Sequence, residues 1–268
     1  MRIVRFEYND GKKKTVLYGK IVGDKISVCE YLNKEKSCDT DFLRFTETGE
    51  ILPISDQTDN IVILSPSMPS KIVAVGKCYK EHIAEIGGEV PETPVIFLKP
   101  PSSVNHHLGN IRIPNGFGRI DYEGELAFII SQKASSVKAS DAHNYILGYT
   151  CFNDVTARDI QKIDGQWTRA KGFDTFAPFG PWIETEVDPM CLNIRTVRNG
   201  KTVQKANTSD MRWNVYEQLE FITSCMTLMP GDVVTTGTPS GIGEIKAGDI
   251  IEVEIEGIGI LKNFVTIK

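Results

Sequence analysis

Two glutamates separated by a single residue, Glu123 and Glu125, stand at the start of the apolar run 126–130. A strand alternates its side chains, so both carboxylates face the same side. Two like charges forced together beside an apolar strand are unfavourable unless a cation or a proton neutralises them. Taken alone, the motif reads more simply as an exposed edge strand whose glutamates face water. A second segment bears on that choice. The apolar run 145–152 delivers Asn153 and Asp154 to a helix predicted over 155–162, at whose start Asp154 by itself reads as an N-cap. At 3.6 residues per turn, Asp154, Arg158 and Gln161 share one face, which brings a carboxylate, a guanidinium and an amide together. Glu123, Glu125 and Asp154, with no His or Cys among them, make a donor set for a hard divalent cation such as Mg²⁺, Mn²⁺ or Ca²⁺. The set is poorly suited to structural zinc.

Three further places offer chemistry. His82 and Glu85 lie three residues apart in a helix predicted over 80–86, with Gly87 and Gly88 as a flexible stop. That spacing suits an imidazole supported by a carboxylate, hence a general base; it also suits a solvated surface turn. Lys171, followed by Gly172, reads as a pocket cation or as a solvated loop charge. The Gly-rich stretch 236–243 lacks the Gly-Lys-Ser/Thr ending of a nucleotide-binding loop, and no long helix follows it. Its backbone N–H groups and the Thr238 hydroxyl would cradle a carboxylate, or the stretch is a plain loop between strands.

The elements that must position these groups are mostly strands. Residues 1–65 alternate with turn signals at Asp10-Gly11 and Gly23-Asp24, and Pro66 and Pro69 read as a linker. This sets the expected organisation: a small β-rich domain over 1–68 and a catalytic domain over 69–268. The larger part carries near-continuous apolar runs at 72–75, 95–98 and 126–130. Helices are predicted over 80–86, 140–145, 155–162 and 215–226, the last capped by Asn214. Val233 to Thr236 and Ile250 to Ile255 read as a strand pair. The class is α+β and strand-rich.

With 41% apolar residues in 268, the chain has material for a large core, which argues against disorder. A net charge of −5 gives no basic face for nucleic acid, and the run Lys12, Lys13 and Lys14 reads as a solvated hairpin turn. No stretch approaches the about 20 apolar residues of a membrane helix, and the strand-like amino terminus is not a targeting peptide. Six scattered cysteines without a Cys-x-x-Cys pair fit reduced thiols in a cytoplasm.

Four strings resemble the fumarylacetoacetate hydrolase family, in particular its smaller members of the acylpyruvate hydrolase and oxaloacetate decarboxylase type. They are Asp-Tyr-Glu-Gly-Glu-Leu (121–126), Asn-Asp-Val-Thr-Ala-Arg-Asp-Ile-Gln (153–161), Lys-Gly-Phe-Asp-Thr-Phe-Ala-Pro-Phe-Gly-Pro-Trp (171–182) and Thr-Gly-Thr-Pro-Ser-Gly-Ile-Gly (236–243). The resemblance spans roughly residue 71 to the carboxyl terminus. It implies a mixed β-roll, usually a homodimer, with Mg²⁺ or Mn²⁺ on Glu123, Glu125 and Asp154. It also implies a pocket lined by Arg158, Gln161, Lys171 and Thr238, and a mobile lid carrying His82 as the base that activates water, with Glu85 orienting it. Where relatives read Gly-Arg-Asn-Tyr, this chain has Gly76, Lys77, Cys78 and Tyr79.

Three carboxylates leave about three positions of an octahedral ion for a water and a bidentate 2-oxo acid. The expected activity is therefore carbon–carbon cleavage in a small 2-oxo acid through a metal-stabilised enolate, by hydrolysis or by decarboxylation. The alternatives are an isomerase or decarboxylase of 2-hydroxy-dienoates of the homoprotocatechuate type, a sugar-acid dehydratase, and a protein that binds 2-oxo acids without turnover.

Overall fold

A computed structural model describes residues 1–32, 44–53, 60–87 and 89–268. Cys38, Gly88 and most of the expected polar stretch 55–60 lie outside the described residues. Strands β1 (Arg2–Asn9) and β2 (Lys14–Val22) form a hairpin whose turn is set by Asp10, which accepts the N–H groups of Lys12 and Lys13 at 2.8 Å each. The two-residue turn at Gly23 and Asp24 leads on to β3 (Lys25–Leu32). β4 (Arg44–Pro53) pairs with β3, and β5 (Ile61–Ile63) with β1. Val4, Phe6, Ile26, Val28 and Leu52 bury a small core between them.

β6 (Ile72–Gly76) is followed by helix α1 (Lys80–Ile86) and by β7 (Val95–Lys99), antiparallel to β6. Next come β8 (Val104–Asn105), β9 (Asn110–Ile113) and β10 (Ile120–Tyr122). β11 (Gly124–Ile130) and β12 (Ile146–Asn153) follow. Every residue of β11 is buried, which is why its sequence is a continuous apolar run rather than an alternating one. β13 (Thr156–Ala157), α2 (Arg158–Asp164), α3 (Thr168–Lys171) and β14 (Ala177–Glu184) complete the region around the acidic motifs. The remaining elements are β15 (Asn193–Arg198), β16 (Lys201–Asn207), α4 (Val215–Cys225), β17 (Val233–Thr235), β18 (Gly243–Glu244), β19 (Ile250–Ile255) and β20 (Gly259–Ile267).

One long sheet runs β4-β3-β2-β1-β14-β12-β11-β17-β6-β7, a second β16-β15-β19-β20-β9, and a third β13-β10-β18. Most neighbours are antiparallel, but β17 with β6 and β20 with β9 are parallel, so the sheets are mixed. The long sheet is continuous across residue 68 through β1 on β14, where Ile3 opposes Ile183. The main core lies between the first two sheets: Leu126, Phe128 and Ile130 meet Ile194, Val253 and Leu261. α4 closes one side with Leu219 and Ile222. Asn214 caps α4 as expected, accepting from Tyr216 and Glu217 N–H while Glu217 returns a bond at 2.8 Å.

Three expectations need correction. The helix expected over 155–162 begins only at Arg158, because Thr156 and Ala157 first pair with β10. The segment expected as a helix over 140–145 is a 3₁₀ turn, Ala139–Tyr145. β17 and β19 do not pair: the first joins the long sheet beside β11, the second the five-stranded sheet beside β15. Among the described residues, Cys29, Cys78, Cys151, Cys191 and Cys225 are free thiols. No described helix is long and apolar enough to cross a membrane.

Candidate active site

Adjacent strands bring the acidic residues together. Gly124 of β11 opposes Asn153 of β12, so Glu125 and Asp154 flank one strand junction. Glu123 is tied to the same point from both sides: its carbonyl accepts Asp154 N–H at 2.8 Å and its N–H is held by Asn153 Oδ1 at 2.9 Å. A Cβ at position 124 would lie 2.0 Å from Thr196 Oγ1, so only glycine lets β11 pass this close to β15. Glu123, Glu125 and Asp154 are 4%, 2% and 1% exposed, which rules out the solvated edge strand. Ligand atoms from all three lie within 4.8 Å of one another. Asp154 does not cap α2; Ala157 holds that position.

Cations surround the trio unevenly. Lys171 Nζ lies 2.7 Å from Glu123 Oε2 and 2.5 Å from Asp154 Oδ2, and its ammonium is 5.0 Å from the centre of the Phe97 ring. Lys99, wholly buried at the end of β7, meets Asp154 Oδ1 at 2.5 Å. Arg158 donates to Glu123 Oε1 and, at 2.8 Å, to Asp121 Oδ2. Among the described residues Glu125 has only neutral hydrogen-bond partners, the Thr235 hydroxyl and the Gly237 N–H at 2.8 Å.

The titration of these groups follows from that arrangement. Burial pushes Glu123 up, but Lys171 and Arg158 overcome it and hold its carboxyl well below the usual range. Burial, then Asp154 and Glu123, push Glu125 well above it. The two lysines on Asp154 respond in opposite directions. For Lys99, burial outweighs its single carboxylate and lowers the pKa. For Lys171, burial is outweighed by Asp154 and Glu123 together, and the pKa rises.

All nine residues singled out from the sequence line one cavity of about 630 Å³. His82 is 5% exposed, and its Nδ1 sits 3.1 Å from Glu85 Oε2. An ionised carboxylate only accepts, so Nδ1 is the donor in this bond, and in the neutral imidazole that arrangement leaves the lone pair on Nε2. The other Glu85 oxygen accepts the Gly241 N–H at 3.0 Å, pinning α1 to the Gly-rich turn. Gly241 has φ +97° and a Cβ there would meet Val203 O at 2.3 Å, so the turn is built on glycine. Gln161 Oε1 accepts from Arg158 Nη1 at 3.0 Å, leaving its amide N–H groups free. Thr238 is less available: its hydroxyl donates to Gly124 O at 3.0 Å and accepts from Gln204 Nε2 at 2.9 Å.

Sequence reasoning missed Lys99 and Asp121. Asp121 continues the two-residue period of Glu123 and Glu125, is fully buried, and is held by Arg119 as well as Arg158. The period alone was signal enough to find it. Lys99 gave no usable signal, since a lysine closing an apolar strand before Pro100 looks like a chain leaving for solvent.

A strand-built scaffold whose buried acids, lysines and a histidine converge on one cavity defines an enzyme of carboxylate-rich type. The chain belongs to the fumarylacetoacetate hydrolase family, whose C-terminal domain model matches residues 71–266. The crystal structure of 5-carboxymethyl-2-hydroxymuconate delta-isomerase from Mycobacterium smegmatis is 39% identical, superposes with a TM-score of 0.88, and is matched over 100% of both chains. Fumarylacetoacetate hydrolase from Exiguobacterium antarcticum is 31% identical with a TM-score of 0.79, over 99% of this chain and 100% of that one. The mitochondrial oxaloacetate tautomerase fahd2 of Xenopus laevis is 40% identical over 217 residues, 76% of this chain and 68% of its own.

The trio fits a cation on its own chemistry: three buried carboxylates converge, and Glu125 among them has no cationic partner among the described residues.

Proposed function

We propose that this chain breaks a carbon–carbon bond in a small 2-oxo acid with Mg²⁺ or Mn²⁺ as cofactor, by hydrolysis of an acylpyruvate-type substrate or decarboxylation of an oxaloacetate-type one. The observation that carries the reading is that the carboxylate trio, Lys171 and the His82–Glu85 pair face one cavity. A divalent ion on Glu123, Glu125 and Asp154 supplies Lewis acidity toward a 2-oxo carboxylate. Lys171, held charged by its neighbours, stabilises negative charge growing on the substrate's C2 oxygen, and the free amide of Gln161 adds a hydrogen bond. Arg158 is committed to Asp121 and Glu123 and keeps Glu123 in place. In hydrolysis, His82 Nε2 takes a proton from water while Glu85 holds Nδ1; the water oxygen adds to the distal carbonyl. The bond between that carbon and C3 then breaks, and the departing enolate is protonated at C3 to give pyruvate. In decarboxylation the same enolate forms by loss of CO₂, without water.

The names of two relatives, an isomerase and a tautomerase, favour a second reading. In it His82 moves a proton between the C2 oxygen and carbon, and no carbon is lost.

The test is turnover of acetylpyruvate and oxaloacetate with Mg²⁺ or Mn²⁺, with products followed by NMR, in the wild type and His82→Ala. Selective loss of acetylpyruvate cleavage in the variant supports hydrolysis with His82 as base. Products of unchanged carbon count support the isomerase. An inert wild type sinks both.

A further inference from the structure

Glu125 is held by one of its two oxygens. Oε2 accepts both the Thr235 hydroxyl and the Gly237 N–H, whereas Oε1 has no donor among the described residues and is the oxygen left for a cation. The Gly237 N–H belongs to a planar trans peptide whose other end is the Thr236 carbonyl, so the two groups point in opposite directions from one rigid unit. Whatever holds that carbonyl aims that N–H.

Gln218 of α4 holds it. The side chain is wholly buried, and its Nε2 lies 2.9 Å from Trp213 O and 3.3 Å from Thr236 O, with the sulfurs of Cys78 at 3.4 Å and Met211 at 3.6 Å beside them. Carbonyls only accept, which fixes the nitrogen end of the amide on this side, and its two hydrogens match the two carbonyls. The oxygen end, Oε1, has no partner among the described residues. A buried amide with an unpaired oxygen is unfavourable, and a methionine or leucine would occupy the position without that cost. The pair of donors is therefore what Gln218 contributes.

The surroundings leave the peptide one easy motion. Thr236 is tied to β11, its N–H and hydroxyl donating to Leu126 O at 3.0 and 2.9 Å. Gly237 has φ +95°, and a Cβ there would lie 2.7 Å from Cys78 Cβ and 3.0 Å from Val75 O, so only glycine fits. Glycine accepts φ of either sign, which lets the peptide before it flip and carry its N–H away from Glu125. A bond on the carbonyl opposes that flip.

We propose that Gln218 is a positioning residue of the metal centre: it locks the Thr236–Gly237 peptide, and through it Glu125, so that Oε1 is presented to the cation. The inference rests on the divalent-ion reading above and gives that site a support on α4, a helix none of whose residues lines the cavity.

Mn²⁺ is the probe, titrated into metal-free protein with the free ion followed by its electron paramagnetic resonance signal. Gln218→Met keeps the length of the side chain and removes the donors; its Kd for Mn²⁺ rises about fivefold, the equivalent of one hydrogen bond of ordinary strength. Val215→Ala takes packing from the same helix one turn earlier, lowers the unfolding temperature, and leaves that Kd within twofold of wild type. Gln218→Leu carries the same expectation as Gln218→Met and replaces it should the methionine prevent folding. A Kd within twofold of wild type in the Gln218 variant, or an equal loss in Val215→Ala, overturns the role of Gln218 and leaves the metal site standing. Wild-type protein that binds no Mn²⁺ overturns the metal reading and this inference together.

Discussion

Lys99→Met tests whether the second lysine on Asp154 holds the site together. The ammonium is wholly buried and lies 2.5 Å from Asp154 Oδ1, with Val155 O at 3.3 Å as its other partner. Methionine matches the length and fills the space, so the loss is one of charge rather than volume. Removing one member of a buried ion pair strands the other, at a cost of about 3–5 kcal/mol. Because Lys171 still holds Asp154 Oδ2, the lower end applies, about 3 kcal/mol. At about 2–4 °C per kcal/mol for a chain of this size, Tm falls by roughly 6–12 °C. Burial already lowers the Lys99 pKa, so the pair contributes little net stability when intact. The double variant Lys99→Met/Asp154→Asn therefore recovers most of the loss. Scanning calorimetry at pH 7.5 in EDTA measures both. A single variant within about 1 kcal/mol of wild type, or a double variant no better than the single, refutes the reasoning.

Glu125→Gln mimics the protonated acid that burial and two carboxylates favour, so without metal its stability near pH 6 stays within about 1 kcal/mol of wild type. A folded pKa above the unfolded one gives stability that is present at low pH and fades as pH rises, so the variant becomes the more stable protein in alkali. Magnesium at 100 times its Kd raises wild-type stability by about 2.7 kcal/mol and leaves Glu125→Gln unmoved; an equal gain in both argues against the ligand assignment. Burial, then His106 and Lys262, push His107 down to about 4, and its Nδ1 must stay unprotonated to accept Lys262 N–H. That stabilisation is present above pH 6.5 and is lost as pH falls toward 4; allowing for partial exposure, roughly 2 kcal/mol disappears. His107→Gln, which keeps an acceptor, flattens the profile of Tm against pH; parallel profiles exclude the assignment. Gly124→Ala forces a Cβ onto Thr196 Oγ1, and through it onto Gln204, lowering stability by about 1–3 kcal/mol; a urea midpoint unchanged from wild type contradicts the close packing.

The parts of this fold that were legible in sequence are those decided locally. α1, β19 and the Asn214 cap stand where periodicity and capping chemistry put them, because each is fixed by residues within one or two turns of itself. The start of α2 was not legible, since Thr156 and Ala157 are drawn into pairing by Ile120 and Asp121, which lie far off in sequence. The same limit explains β17 and β19, whose partners are chosen by sheet topology rather than by their own alternation. At the site, like charges at spacing two announced the acidic trio, because burying them demands compensation. Lys99 went unseen because its partner, Asp154, is 55 residues away and nothing near it in the chain declares its burial.

The distribution of the site over the fold divides its labour. Glu123, Glu125 and Asp154 belong to the strand framework at the meeting of β11 and β12, locked by register and core packing. Lys77, α1, α2, Trp167 and the 238–242 turn, which shape the rest of the cavity, belong to connections. On the reading proposed above, mutation in the first set costs the reaction, whereas mutation of the cavity-facing side chains in the second leaves the packing of β11 and β12 in place. A lineage built this way diversifies its substrates by exchanging loops around an inherited reaction centre, and a laboratory library confined to those connections would search the same space.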